Sequence, residues 1–171
     1  MDNILITGSA GFIGSALYRN LEDKYNVYGV DNFSDYYDIN LKKNRIKQFK
    51  NSKNFLKLDI LDSISLNEFI KSKKINVIIH LAAQAGVRHS LKDPKSYITN
   101  NIVGTFNILE ACKKIKIKHL LMASTSSVYG FEGSENFVET LPCNEPVSLY
   151  SASKKSTENI AHSYAYNFKI P

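Results

Sequence analysis

The sequence predicts an α/β fold, a doubly wound parallel sheet with helices on both faces. Three observations carry this. Short apolar runs alternate with segments whose apolar residues recur every three or four positions. The short runs are apolar on consecutive positions, as strands of a sheet covered on both sides must be. Right-handed crossovers between such strands then produce a doubly wound sheet. At 171 residues and 19.3 kDa the chain suits one domain, residues 1–171.

Ile4-Leu5-Ile6 is the first strand, ended by a glycine-rich turn. From Phe12 onward Ile13, Leu17 and Leu21 recur every four residues with Ala16 beside them, a helix with one buried stripe. Val27-Tyr28-Gly29-Val30 is the second strand, stopped by Asp31. Residues 32–52, rich in Tyr and Lys, exceed a short connection and are expected to be partly helical. Phe55-Leu56-Lys57-Leu58 is the third strand, stopped by Asp59. Asp62 is placed to cap a helix carrying Leu66, Phe69 and Ile70. Val77-Ile78-Ile79 is the fourth strand, and Ile98, Ile102, Thr105, Phe106, Leu109 and Cys112 mark a long helix of 3.6-residue period. Leu120-Leu121-Met122-Ala123 is the fifth strand. Residues 129–149, with Gly130, Gly133, Pro142 and Pro146, read as an irregular loop over the sheet edge, and a last helix runs from about Tyr150 to Phe168. A helix finishing at Ile170-Pro171 leads into a further strand, so the chain is expected to be the N-terminal part of something longer.

Composition narrows the function classes. Hydrophobic residues are 43% and charged residues 22%, ordinary for a soluble globular protein. No apolar run approaches the roughly 20 residues of a membrane helix, and the N-terminus lacks the basic stretch and cleavage site of a secretory signal. Cys112 and Cys143 form no metal or redox motif, and the four His are scattered. Reduced thiols in a cytoplasm, and no metal, are the expectation. Net charge is +6, and Lys supplies 19 of the 22 basic residues without a dense run or a nucleic-acid motif. Neither nucleic acid nor membrane is expected as a partner; the lysines solvate the surface and attract an anionic small molecule.

The chemistry starts at Thr7-Gly8-Ser9-Ala10-Gly11-Phe12-Ile13-Gly14, between the first strand and the first helix. A helix N-terminus offers free N–H groups and a positive dipole end, which suit pyrophosphate. Gly8 permits the tight turn, Gly11 lets backbone approach phosphate, and Gly14 lets helix and strand pack closely. Asp31 follows Gly14 by 17 residues at the end of the second strand, where a carboxylate accepts hydrogen bonds from adenosine ribose hydroxyls. A 2′-phosphate would meet like charge there, so NAD is favoured over NADP. Asp59, at the next strand end, is placed either for the adenine amino group or as a helix cap.

The second constellation is Tyr150-Ser-Ala-Ser-Lys154, one helical face that brings phenol and ammonium together. A free phenol, with a pKa of about 10, is a poor base at neutral pH, and a neighbouring ammonium favours the phenolate. Ser124-Thr125-Ser126-Ser127 puts hydroxyls at the carboxyl end of the fifth strand. Hydroxyl, phenol and ammonium make a proton relay beside a hydride acceptor. His80 and His119 sit in strand patterns and are expected to be satisfied core or edge groups, and Tyr36 and Tyr37 to pack under the long loop in preference to stacking on adenine.

Taken with His80-Leu-Ala-Ala83, Asn100-Asn101-x-x-Gly104-Thr105 and Ser-Val-Tyr-Gly130, these motifs resemble the extended short-chain dehydrogenase/reductases that act on nucleotide sugars, built on a Rossmann-type NAD-binding fold. Asp31-Asn-Phe-Ser-Asp-Tyr-Tyr-Asp38, Ala83-Gln-Ala-Gly-Val-Arg88 and Pro146-Val-Ser-Leu-Tyr150 resemble UDP-glucuronate 4-epimerases, and the resemblance covers essentially the whole chain.

The resemblance implies an isomerase of polysaccharide biosynthesis that converts UDP-glucuronate to UDP-galacturonate through a 4-keto sugar. Tyr150, relayed by Thr125, takes the 4-hydroxyl proton, and Lys154 lowers the Tyr150 pKa and holds the nicotinamide ribose. It implies cofactor contacts at Gly8, Gly11, Phe12, Ile13, Gly14, Asp31, Asn32, Ser34, Asp59, Ile60, Leu81, Ala82, Ala83, Gln84 and Asn100 besides Tyr150 and Lys154, and substrate contacts at Ser126 and Ser127. Arg88 is placed either to bind the anionic part of the substrate, uronate or diphosphate, or as a loop residue on the surface. Related 4,6-dehydratases resemble Thr-Asp-Glu where this chain has Thr125-Ser126-Ser127, so epimerisation without elimination is the simpler chemistry. The resemblance also implies a chain about twice this length, whose C-terminal substrate domain is missing here, and a homodimer when full length; the apolar residues of the helices at 95–113 and 150–168 either form that interface or belong to the core. UDP-glucose 4-epimerase, dTDP-glucose 4,6-dehydratase and a non-catalytic NAD-binding module stay open as alternatives, and the isolated chain is expected to bind NAD with weak or no turnover.

Overall fold

The structure, a computed structural model, describes residues 1–130 and 136–171. Five strands form one sheet: β1 (Asn3–Thr7), β2 (Asn26–Asp31), β3 (Phe55–Lys57), β4 (Val77–His80) and β5 (His119–Met122). Their spatial order is β3-β2-β1-β4-β5 and every pairing is parallel. The chain winds outward from β1 to β3, then crosses back to lay β4 on the other side of β1. Strand order therefore reverses between β1 and β4, which opens a crevice at their carboxyl ends.

Side-chain alternation along β1 splits the core. Ile4 and Ile6 pack with Tyr18, Val27 and Phe49 on the face of α1 (Phe12–Leu21). Leu5 packs on the other face with Val30, Ile78 and the apolar stripes of α3 (Ser63–Ser72) and α5 (Gly104–Ile115). Tyr18 and Phe49 stack with centroids 3.9 Å apart, and the Tyr18 hydroxyl reaches the Val27 carbonyl at 3.1 Å. Each such side chain contributes about 1.5–3 kcal/mol by leaving water.

The helices follow the sequence with physical exceptions. Residues 32–52 supply α2 (Ile39–Ile46), whose cap Asp38 accepts the Asn40 N–H at 2.9 Å. Asp62 caps α3 by accepting the Ser65 N–H at 3.0 Å. The long helix starts earlier than its apolar stripe: Asp93 caps α4 (Pro94–Tyr97), a π-helical stretch spans Ile98–Val103, and α5 continues from it. A 3.6-residue period cannot register the widened turn. β3 ends one residue before Leu58, and β5 starts and ends one residue earlier than the 120–123 run. The last helix, α6, spans Leu149–Phe168. Residues 136–148 form no helix or strand, and Gly133 lies outside the described residues.

Among the described residues no helix is long and apolar enough to cross a membrane, and no His, Cys, Asp and Glu side chains gather as a metal site. Cys112 and Cys143 are free, and burial pushes the Cys112 thiol up to about 12, which fits an inert core thiol.

Candidate active site

The glycine-rich turn is built by backbone. Gly8 takes φ +68°, the left-handed region that disfavours a side chain, and a Cβ there would lie 2.9 Å from the Ala82 nitrogen. A Cβ at Gly14 would lie 2.8 Å from Ser9 Cα and overlap the Gly8 carbonyl. Among the described residues no side chain caps α1, so its first N–H groups are left for whatever enters the crevice. Ser9 N–H donates to the Val30 carbonyl at 3.1 Å and Ala10 N–H to Asp31 Oδ2 at 3.2 Å, tying the turn to β2.

The crevice is a cleft of about 620 Å³ that crosses the carboxyl edge of the sheet. On the β2–β3 side stand Asp31, Asn32, Ser34, Asp59 and Ile60. Asp31 is buried; its Oδ1 accepts the Phe33 N–H at 2.8 Å and the Lys42 ammonium at 3.1 Å. Asp59 accepts hydrogen bonds from the Asn32 amide at 3.0 Å and the Leu61 N–H at 2.9 Å; Asp62, not Asp59, caps α3. Arg45 reaches the Tyr37 hydroxyl at 2.9 Å and the Ala10 carbonyl at 3.3 Å, and Tyr36, Tyr37, Lys42 and Arg45 all line the cleft.

On the β4–β5 side the wall is Leu81 to Ala85, Asn100, Ala123, Ser124, Tyr150 and Lys154. Ser148 and Ser151 cap α6 reciprocally, each side chain accepting the other's N–H at 3.0 Å, which places Tyr150 in the first turn. The Tyr97 and Tyr150 rings meet edge to face at 6.0 Å. Buried Asn101 accepts the Gln84 N–H at 2.7 Å and donates to the Gln84 carbonyl at 3.1 Å and to Ser153 Oγ at 2.9 Å, and Ser153 donates to the Tyr150 carbonyl at 2.7 Å. One asparagine thus ties the wall loop to the helix of Tyr150.

Lys154 is 6% exposed, and its ammonium makes no hydrogen bond or ion pair with any described residue. Burial lowers its pKa from the ordinary lysine value, and the Glu158 charge works against that shift. His80 is a satisfied core group, as expected, with both ring nitrogens bonded.

The residues expected at a dinucleotide site, from Gly8 through Asn100 to Tyr150 and Lys154, all line this cleft. Thr125, Ser126, Ser127 and Arg88 are not among its lining residues. Thr125 caps the short turn at Ser126–Tyr129 by accepting the Ser127 N–H at 3.2 Å, and Arg88 is exposed at the start of a turn at His89–Leu91. Ser124 is the hydroxyl that reaches the wall. Tyr36 and Tyr37 line the cleft rather than merely packing beneath a loop. No sequence motif marks Lys42 and Arg45; the signal that finds them is Asp38 as a helix cap, which puts these cations, three apart, on one helical face.

The profile of the GDP-mannose 4,6-dehydratase family matches residues 5–171. The chain belongs to this family. A probable UDP-glucuronate 4-epimerase of Rhizobium meliloti is 45% identical over 170 residues, 98% of this chain and 50% of that protein. The UDP-glucuronate 4-epimerase of Thermodesulfobacterium geofontis is 42% identical, across 99% of this chain and 53% of its own. Among solved structures, UDP-glucuronic acid 4-epimerase from Bacillus cereus, in complex with UDP-glucuronic acid and NAD, superposes with a TM-score of 0.90 at 42% identity, covering 99% of this chain and 54% of that one. The chain therefore spans about half the length of the family members it matches, their N-terminal half by its Rossmann-type sheet.

Proposed function

We propose that this chain is the cofactor-binding and proton-transferring half of an NAD-dependent nucleotide-sugar 4-epimerase acting on UDP-glucuronate. The observation that carries this reading is the buried ammonium of Lys154, without a partner among the described residues and one helical turn from Tyr150, opening onto the same cleft as the glycine turn. A buried charge without a partner is costly, and a ligand that supplies hydroxyls relieves the cost. Residues that fit NAD are at hand: the Gly8–Gly14 cradle leaves no room for side chains, α1 is uncapped, and Asp31 lies at the end of β2.

NAD, when bound, supplies a place for the C4 hydride to go and return from. The chain's residues handle the rest. Tyr150, with Thr125 as relay, accepts and returns the proton of the sugar 4-hydroxyl. Lys154 holds positive charge beside the phenol and hydrogen-bonds the nicotinamide ribose. Asp31 and Lys42 hold the adenosine ribose hydroxyls. Ser126 and Ser127 contact the sugar, and Arg88 grips the uronate or the diphosphate. Similarity to the named epimerases supports the substrate, and Ser at 126 and 127 supports epimerisation over elimination.

The reading extends to a cytoplasmic homodimer that joins α5 and α6 of two copies, supported by the exposed Phe106 on that surface. It also places the protein in polysaccharide biosynthesis. Calorimetric titration of the chain with NAD and NADP tests the cofactor half: NAD binds and NADP binds at least ten-fold more weakly. Equal affinities, or no binding of NAD, overturn it.

A further inference from the structure

Two features outside the mechanism meet beside the cleft: the groove between β5 and α6 and the carboxylate of Glu158.

Glu158 lies on α6 one turn after Lys154 and on the same side of the helix. One of its oxygens accepts the hydroxyl proton of Ser124, and the other holds the Lys155 ammonium at 3.0 Å. Ser124 lies two residues beyond β5, lines the cleft, and directly precedes Thr125. Among the described residues this is the one hydrogen bond between the end of β5 and α6. Elsewhere the two elements fit loosely: a groove of about 270 Å³ separates Leu120 and Met122 on the strand from Ala161 and Ala165 on the helix. The anchorage of α6 through Ser153 runs to Asn101, so it does not fix the helix against β5.

We infer that Glu158 is a positioning residue, clamping Ser124 so that the end of β5 and the Tyr150–Lys154 face of α6 form one rigid wall around the nicotinamide half of the cofactor. This rests on the proposed reading, because it places the nicotinamide at the β4–β5 side and the adenosine at the β2–β3 side. A charge-assisted hydrogen bond of this kind has enough net strength to shift a ligand equilibrium about ten-fold.

The test uses the 171-residue chain titrated with NAD and with ADP, which shares the adenosine diphosphate half and lacks the nicotinamide and its ribose. Glu158→Ala and Ser124→Ala each weaken NAD about ten-fold and leave ADP unchanged. The double substitution is no worse than either alone. Glu158→Gln, which keeps an oxygen to accept the Ser124 proton, restores NAD affinity to within about two-fold. Thermal unfolding of each variant reports the fold; should Glu158→Ala not fold, Ser124→Ala with Glu158→Gln decides. Equal loss for NAD and ADP overturns the clamp, as does unchanged NAD affinity in the Ser124→Ala chain, or a Gln variant as weak as Ala. If the unsubstituted chain binds ADP but gains nothing from the nicotinamide riboside, the orientation in the proposed function fails instead.

Discussion

Thr7 and His80 share a proton whose position is forced. Thr7 Oγ1 accepts the N–H groups of both Leu81 and Ala82 at 3.1 Å, so its own hydrogen goes to His80 Nδ1 at 2.7 Å. His80 must then carry its proton on Nε2, which donates to Thr105 Oγ1 at 3.0 Å. The network joins the ends of β1 and β4 to α5 at the floor of the cleft, and it works only with a neutral imidazole.

The first prediction follows from that neutrality. Burial lowers the His80 pKa from 6.5 to about 3, with the Lys154 charge adding to the shift. The unfolded chain therefore takes up the proton first as pH falls. The stability from neutral His80 is fully present above about pH 6.5 and is lost toward pH 3, at up to about 1.4 kcal/mol per unit. Urea unfolding at pH 7.5, 6, 5 and 4 measures this, and a flat profile across that range contradicts the network.

The Asp31–Lys42 pair gives the second. Both side chains are nearly sealed from water, at 5% and 8% exposure. Removing one partner strands a buried charge, so Lys42→Met and Asp31→Leu each cost about 3 kcal/mol, whereas the two together cost far less than the sum. Denaturant unfolding of the four chains closes the cycle, and additive losses would show the pair to be uncoupled.

Lys154 gives the third, of opposite sign. Its buried ammonium is unpaired, so Lys154→Met raises the stability of the ligand-free chain, by on the order of 1 kcal/mol, while weakening NAD at least ten-fold. Melting curves with and without NAD display both effects. A destabilised ligand-free variant would mean that the ammonium has a partner.

Tyr150 gives the fourth. In any protein that contains this chain and turns over UDP-glucuronate, Tyr150→Phe lowers kcat by about 10²- to 10⁴-fold. NAD affinity stays within a few-fold, because the ring still packs against Tyr97. Retained turnover removes Tyr150 from the proton relay.

How much of this was legible in the sequence depends on whether the signal is local. The strands, α1 and the Asp62 cap are written in neighbouring residues, and the structure holds them with shifts of a residue at the strand ends. The cleft residues that come from motifs, such as Gly8, Gly14, Asp31 and Tyr150, are equally readable. Lys42 was not, because its meaning lies in burial against Asp31, 11 residues away across a loop. Asn101 hides for the same reason: its hydrogen bonds reach Gln84 and Ser153, 17 and 52 residues distant. Contacts of that range are decided by packing, not by periodicity.

The π-helical stretch at Ile98–Val103 lets two consecutive asparagines do different jobs, Asn100 at the cleft and Asn101 in the buried tie to α6. Its wide winding accommodates an extra residue relative to an ordinary turn. Deleting one position there restores regular winding and keeps Ile108, Leu109 and Cys112 of α5 facing the core, because the widened turn had already absorbed the additional residue. What such a deletion removes is the opposed aim of the two asparagines, so the scaffold survives it and the division of labour does not.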